Sequence, residues 1–153
     1  PEAFDRRADG ADARRRLSGM AVLVDTNVLL DVATEDARWL EWSAAQLARA
    51  ANEDALARNP IVYAELSVHY ETIEALEEAL SGHAFERLAL PWEAAFVAGK
   101  AYRRYRRKGG AKRSPLPDFY IGAHAAVLGI ALLTRDARRY REYFPKLNLI
   151  SPD

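Results

Sequence analysis

The chain has 153 residues, half of them apolar and 29% charged, which is room for one folded domain with a sizeable core. It contains no cysteine and only three histidines, so disulfide scaffolds, thiolate zinc sites and cysteine nucleophiles are excluded, and polar chemistry must rest on Asp and Glu. The formal net charge of zero hides a division: residues 35–93 carry twelve acids against four arginines, whereas residues 100–141 carry twelve Lys and Arg against Asp118 and Asp136 alone. Such asymmetry suits an anionic partner such as nucleic acid, although a solvated helix surface would also produce it. No apolar run approaches the roughly 18–20 residues of a membrane span, and the lack of Cys permits a reducing cytoplasm.

Residues 1–19 are rich in Asp, Arg and Gly and precede the single methionine, Met20. They read as a flexible extension ahead of a natural start at Met20, with residues 20–153 forming the domain. From there strand and helix signals alternate. Ala21–Val24 is a short apolar run suited to a buried parallel strand, followed by a helical turn or two over Asn27–Ala33. Asp36 to Asn52 carries Trp39, Trp42, Ala45, Leu47 and Ala50 at helical spacing. Packing in the core is the first role expected for these residues, with contact to a partner the second. A strand over Asp54–Arg58 stops at Asn59-Pro60, and Pro60 opens a helix over Ile61–Tyr70. A further helix spans Thr72–Leu80, Phe85–Leu90 alternates as a strand, and Pro91 opens a long helix over Trp92–Arg107 that Gly109-Gly110 ends. Pro117 starts a helix over Asp118–Leu128, closed by Gly129; Ile130–Thr134 is a strand, Ala137–Tyr143 a helix and Leu147–Ile150 a last strand. Strands separated by helices predict a three-layer α/β/α fold with a mostly parallel sheet of four to five strands.

In such sheets ligands lie beyond the carboxyl ends of strands. Asp25 directly follows the first strand, Asp136 follows the fourth, and Asp118 and Glu65 stand near the starts of their helices. Four acids so placed make a candidate site for a hard cation, which prefers oxygen donors and offsets their mutual repulsion. Each also suits a plainer role: Asp25, Asp118 and Asp136 can cap or complement helix N-termini, and Glu65 can be an exposed helix former. The cationic run Lys100, Arg103, Arg104, Arg106, Arg107, Lys108, Lys112 and Arg113 carries Tyr102 and Tyr105 between its charges. It suits RNA phosphates and unpaired bases, although cations also complement a helix C-terminus.

The segments VDTNVLLD at 24–31, NPIVYAELS at 59–67, PLPDFYIGAHA at 115–125 and LLTRDARRYREYFP at 132–145 resemble the four signature blocks of PIN-domain ribonucleases. They are most similar to those of VapC-type toxins from toxin–antitoxin pairs. The acids are spaced by 40, 53 and 18 residues, in the order the family requires, and the resemblance covers Met20 to about Pro152. It implies a PIN-like fold and a Mg²⁺-dependent endoribonuclease, with Mn²⁺ as a substitute. Asp25 and Asp118 would hold metal, with Glu65 and Asp136 completing the shell directly or through water, and Asn27 and Thr134 as polar companions. It further implies an RNA substrate met by the cationic run and Arg135, a VapB-type antitoxin reaching across helices that carry Trp39, Trp42 and Leu47, and a homodimer in the cytoplasm. His124 is expected to be a packed core residue, and Asp31 to face solvent or lie peripheral to the site. A non-cleaving RNA- or antitoxin-binding module is the alternative, which the intact acidic quartet disfavours. A haloacid-dehalogenase-type phosphatase would need Asp at position 27, where Asn stands.

Overall fold

The computed structural model describes residues 21–152, so the expected extension at 1–19 and the start at Met20 lie outside the described residues. Five strands form one sheet: β1 Ala21–Val24, β2 Ala55–Arg58, β3 Phe85–Arg87, β4 Ala131–Leu133 and β5 Leu149–Ile150. Their order is β3-β2-β1-β4-β5 and every pairing is parallel. Val22 lies opposite both Leu56 of β2 and Ala131 of β4, which makes β1 the centre. All four β1 residues are buried although successive side chains point to opposite faces, so both faces of the sheet are covered.

The helices are α1 Thr26–Ala33, α2 Leu40–Glu53, α3 Pro60–Ser67, α4 Ile73–Ala79, α5 Trp92–Arg107, α6 Pro117–Leu128 and α7 Arg138–Tyr143. Local chemistry sets their starts. The Asn59 and Thr72 side chains accept the Val62 and Ala75 amides as N-caps of α3 and α4. Pro60 and Pro117 occupy first turns, where a missing N–H costs nothing. Gly129 closes α6 at φ 67°, a left-handed conformation that suits glycine.

The three largest boundary shifts are inward. The helix expected from Asp36 begins at Leu40, because Asp36 instead folds a turn by accepting the Arg38 and Trp39 amides, each at 2.9 Å. The helix expected through Tyr70 ends at Ser67. The strand expected over Phe85–Leu90 keeps only Phe85–Arg87, since it lies at the sheet edge and pairs on one side alone.

Gly122 marks a tight crossing of α6 under α7. A methyl group there would lie 2.6 Å from the Phe144 ring and 3.0 Å from that of Tyr140. Gly122→Ala should therefore destabilise the protein by about 1–3 kcal/mol through overpacking, measurable by denaturant unfolding.

Candidate active site

The chain runs from β1 outward through β2 to β3, then crosses to the other side of β1 for β4 and β5. The crevice between the carboxyl ends of β1 and β4 is thus the topological switch point, where open α/β sheets take ligands. A cavity of about 240 Å³ lies there, lined by Asp25, Thr26, Asn27, Leu30, Glu65, Asp118, Arg135 and Asp136. The four acids expected from sequence, 111 residues apart at their extremes, meet in one place.

Asp25 is the hub. It is 3% exposed, and Oδ1 accepts the Thr26 amide at 2.7 Å as the N-cap of α1, so capping and site membership coexist. Its Oδ2 accepts the hydroxyls of Thr134 and Tyr140, each at 2.9 Å, with the Asn27 amide group at 3.4 Å. Asn27 also donates to the Thr134 hydroxyl at 3.3 Å and accepts the Arg135 amide at 3.2 Å, tying α1 to the turn after β4. Glu65 projects from α3 and accepts the Thr26 hydroxyl at 2.8 Å. Asp118, in the first turn of α6, pairs with Arg139 at 3.1 Å and lies 3.4 Å from the Tyr140 hydroxyl. Asp136 is exposed at the rim; its side chain does not cap α7, whose N-cap is Ala137.

Burial and proximity act together on these acids. Burial, reinforced by the charge of Asp118, pushes the Asp25 carboxyl up to about 6 against the pull of its hydrogen bonds. Burial also raises Asp118, with the Asp136 charge adding and Arg139 opposing. Glu65 is raised by burial too, with the Thr26 hydroxyl opposing and Asp118 adding. Tyr140, buried between Asp25 and Asp118, is held well above its ordinary value and so stays a hydrogen-bond donor. An all-oxygen, mutually repelling donor set fits a hard divalent ion. Among the described residues no group of three or more Asp, Glu or His is placed to hold a metal ion together. Mg²⁺ tolerates that arrangement, because it keeps several waters and takes only one or two direct carboxylates.

Three participants were not legible as site residues: Thr26, Arg139 and Tyr140. Thr26 sits inside the DTN segment, and the other two lie in a run of alternating cations and tyrosines that reads as a surface helix. Asp31, expected to face solvent or lie peripheral to the site, is buried at 2% exposure outside the cavity lining, where Ser43 and Arg135 bind it. His124 is buried as expected, and its Nδ1 faces the Asn59 side-chain amide at 3.0 Å.

Of the expected RNA-binding cations, Arg135 alone lines the cavity. Arg103, Arg104, Arg106, Arg107, Lys108, Lys112 and Arg113 are exposed along the end of α5 and the loop to α6. Arg104 donates to the Tyr143 carbonyl, Arg106 to that of Gly110, and Lys108 pairs with Glu142, so part of the run anchors local backbone and α7. Tyr102 and Tyr105 stack on each other at 6.2 Å. Of the three residues considered for a partner, Leu47 is buried and Trp42 packs against the core, leaving Trp39 beside Arg135.

The acids gather at the switch point of a parallel α/β sheet, where such folds take ligands. The family profile of the PIN domain matches residues 22–144, and the chain belongs to that family of nucleases. Its fold is similar to a chain of the VapBC2 complex of Rickettsia felis bound to a promoter DNA fragment, with 20% identity, a TM-score of 0.67 and coverage of 88% of this chain and 100% of that one. DNA-bound VapBC of Salmonella typhimurium is similar at 20% identity and a TM-score of 0.62, covering 86% and 98% of the two chains. VapBC-5 of Mycobacterium tuberculosis is similar at 21% identity and a TM-score of 0.53, covering 86% and 96%. No curated protein matches the sequence. No helix among the described residues is long and apolar enough to cross a membrane.

Proposed function

We propose that the chain is a Mg²⁺-dependent endoribonuclease, the toxin of a toxin–antitoxin pair, acting in the cytoplasm as a homodimer and restrained by a VapB-type antitoxin. The observation that carries the reading is the meeting of Asp25, Glu65, Asp118 and Asp136 around one cavity at the switch point. The likeness of the fold to chains of VapBC complexes supports the toxin assignment.

In this reading Asp25 and Asp118 hold the divalent ion, with Glu65 and Asp136 completing its surroundings directly or through water. Bound Mg²⁺ or Mn²⁺ would lower the pKa of a water and offset charge building on the phosphate. Thr134, Tyr140 and Asn27 aim the Asp25 carboxylate, and Thr26 aims that of Glu65. No histidine acts as base. The cations from Arg103 to Arg113 draw the RNA backbone toward the cavity rim.

Purified protein should cleave single-stranded RNA with Mg²⁺ or Mn²⁺ and stop in excess EDTA. Sequencing cleaved ends from total RNA after brief induction, with Asp25→Ala as control, identifies the substrate. Cutting that persists in chelator, or that the control shares, overturns the metal-dependent reading. Among the cations, the Arg103 and Arg107 side chains make no hydrogen bond within the described residues, so replacing both by Ala tests RNA binding without releasing the loop that Arg106 holds. Affinity should fall, and the salt dependence should flatten by about one unit for each phosphate no longer neutralised. Unchanged affinity would remove these cations from the RNA surface.

A further inference from the structure

Among the expected RNA-binding cations, Arg135 alone is tied to a buried carboxylate. Its Nε donates to both oxygens of Asp31, at 3.1 and 2.8 Å, and the same Asp31 Oδ2 accepts the Ser43 hydroxyl at 2.7 Å. Asp31 is 2% exposed, whereas the Arg135 side chain keeps 30% of its surface open. The guanidinium lies 5.6 Å from the centre of the Trp39 ring, and the Arg135 backbone amide is held by Asn27. With Nε engaged, neither Nη nitrogen has a hydrogen-bond partner among the described residues. Arg135 lines the same cavity as the four carboxylates.

A buried ion pair is a weak means of gaining stability, because desolvation offsets most of the attraction and a well-packed apolar pair does as well. What the Asp31–Ser43 pair supplies is direction. Tethered at Nε and braced on an indole, the guanidinium presents its two-nitrogen end, the edge whose paired N–H groups match two oxygens of a phosphate. Four acids by themselves repel a phosphodiester, so a fixed cation at their rim offsets that repulsion and sets where the phosphate stops. Arg139, the other guanidinium near the site, pairs through Nη1 with Asp118, one of the four acids themselves, whereas Arg135 is tethered to Asp31, which lies outside that quartet.

We propose that Arg135 seats the scissile phosphate of the RNA substrate, and that Asp31 and Ser43 are positioning residues that aim it. This rests on the nuclease reading above. Lys at position 135 preserves the charge but has neither the Nε tether nor the paired edge. Arg135→Lys should therefore leave affinity for a fluorescent single-stranded RNA within about twofold in EDTA, since one charge among many is conserved. Single-turnover cleavage in Mg²⁺ should fall on the order of 10²-fold, the size expected when one oriented donor is lost from a charged transition state. Arg135→Ala should lose at least as much rate and some affinity. Ser43→Ala, which leaves the charges in place, should slow cleavage several-fold at unchanged affinity. All rates are taken per folded molecule, with melting curves recorded on each variant. If Arg135→Lys cuts within threefold of the parent and only melts earlier, the ion pair merely stitches α1 to the turn after β4 and the proposal is overturned. If the parent itself cuts no RNA, the nuclease reading fails and this proposal fails with it.

Discussion

Asp118→Asn should abolish RNA cleavage, by about 10³-fold or more, while the protein stays folded and binds RNA as well as the parent or slightly better. The substitution removes the charge that faces Asp25, Glu65 and Asp136 but preserves the shape of the side chain. One negative charge fewer at the cavity reduces repulsion of phosphate, which is why affinity should not drop. The same change lets the Asp25 carboxyl settle back toward its ordinary value, so the metal-free variant should melt no earlier than the parent near neutral pH. A role confined to complementing the start of α6 predicts the reverse: earlier melting and near-normal turnover per folded molecule. Single-turnover rates, RNA affinity and melting curves on one preparation separate the two accounts.

The second large effect is on stability without metal. Asp25 holds its proton in the folded state up to a pKa of about 6, against 3.8 for the free side chain. Between those values the folded state binds more protons than the unfolded state, so stability contributed by this group falls as pH rises through the window and is fully lost above about 6. At 1.36 kcal/mol per unit, the ionised carboxylate costs on the order of 3 kcal/mol at neutral pH. Metal-free protein should accordingly unfold at lower denaturant at pH 7.5 than at pH 5, and Asp25→Asn should flatten the difference. Added Mg²⁺ should stabilise the parent most at pH 7.5, where the acids are ionised, and leave Asp25→Asn nearly unaffected. A parent whose unfolding midpoint rises steadily from pH 5 to 7.5 without metal would show that Asp25 does not carry this burden. In the proposed reading this is the usual trade of an active site, in which groups kept charged and dehydrated for function oppose folding.

Much of this protein is legible in one dimension. Short apolar runs at Ala21–Val24 and Ala131–Leu133, proline at helix starts and glycine after helix ends are local signals, and each marks its element within a few residues. The acidic quartet is legible for the same reason. Asp25 and Asp118 lie at element boundaries, and in a parallel α/β sheet those boundaries collect on one edge. What sequence leaves undecided is which polar side chains turn inward once the elements pack. Asp31 lies six residues beyond Asp25 on α1 and reads as a surface acid, yet it is buried because α2 brings Ser43 to it and the turn after β4 brings Arg135. Tyr140 and Arg139 belong to a six-residue helix with no local reason to face the site, and the crossing of α7 over Gly122 puts them there. Local sequence determines where chain elements start and stop, because capping, proline and apolar runs act over a few residues. Tertiary packing alone decides which charges share a cavity, because the desolvation and Coulomb energies that couple Asp25 to Asp118 exist only when residues 93 positions apart in the chain are brought together.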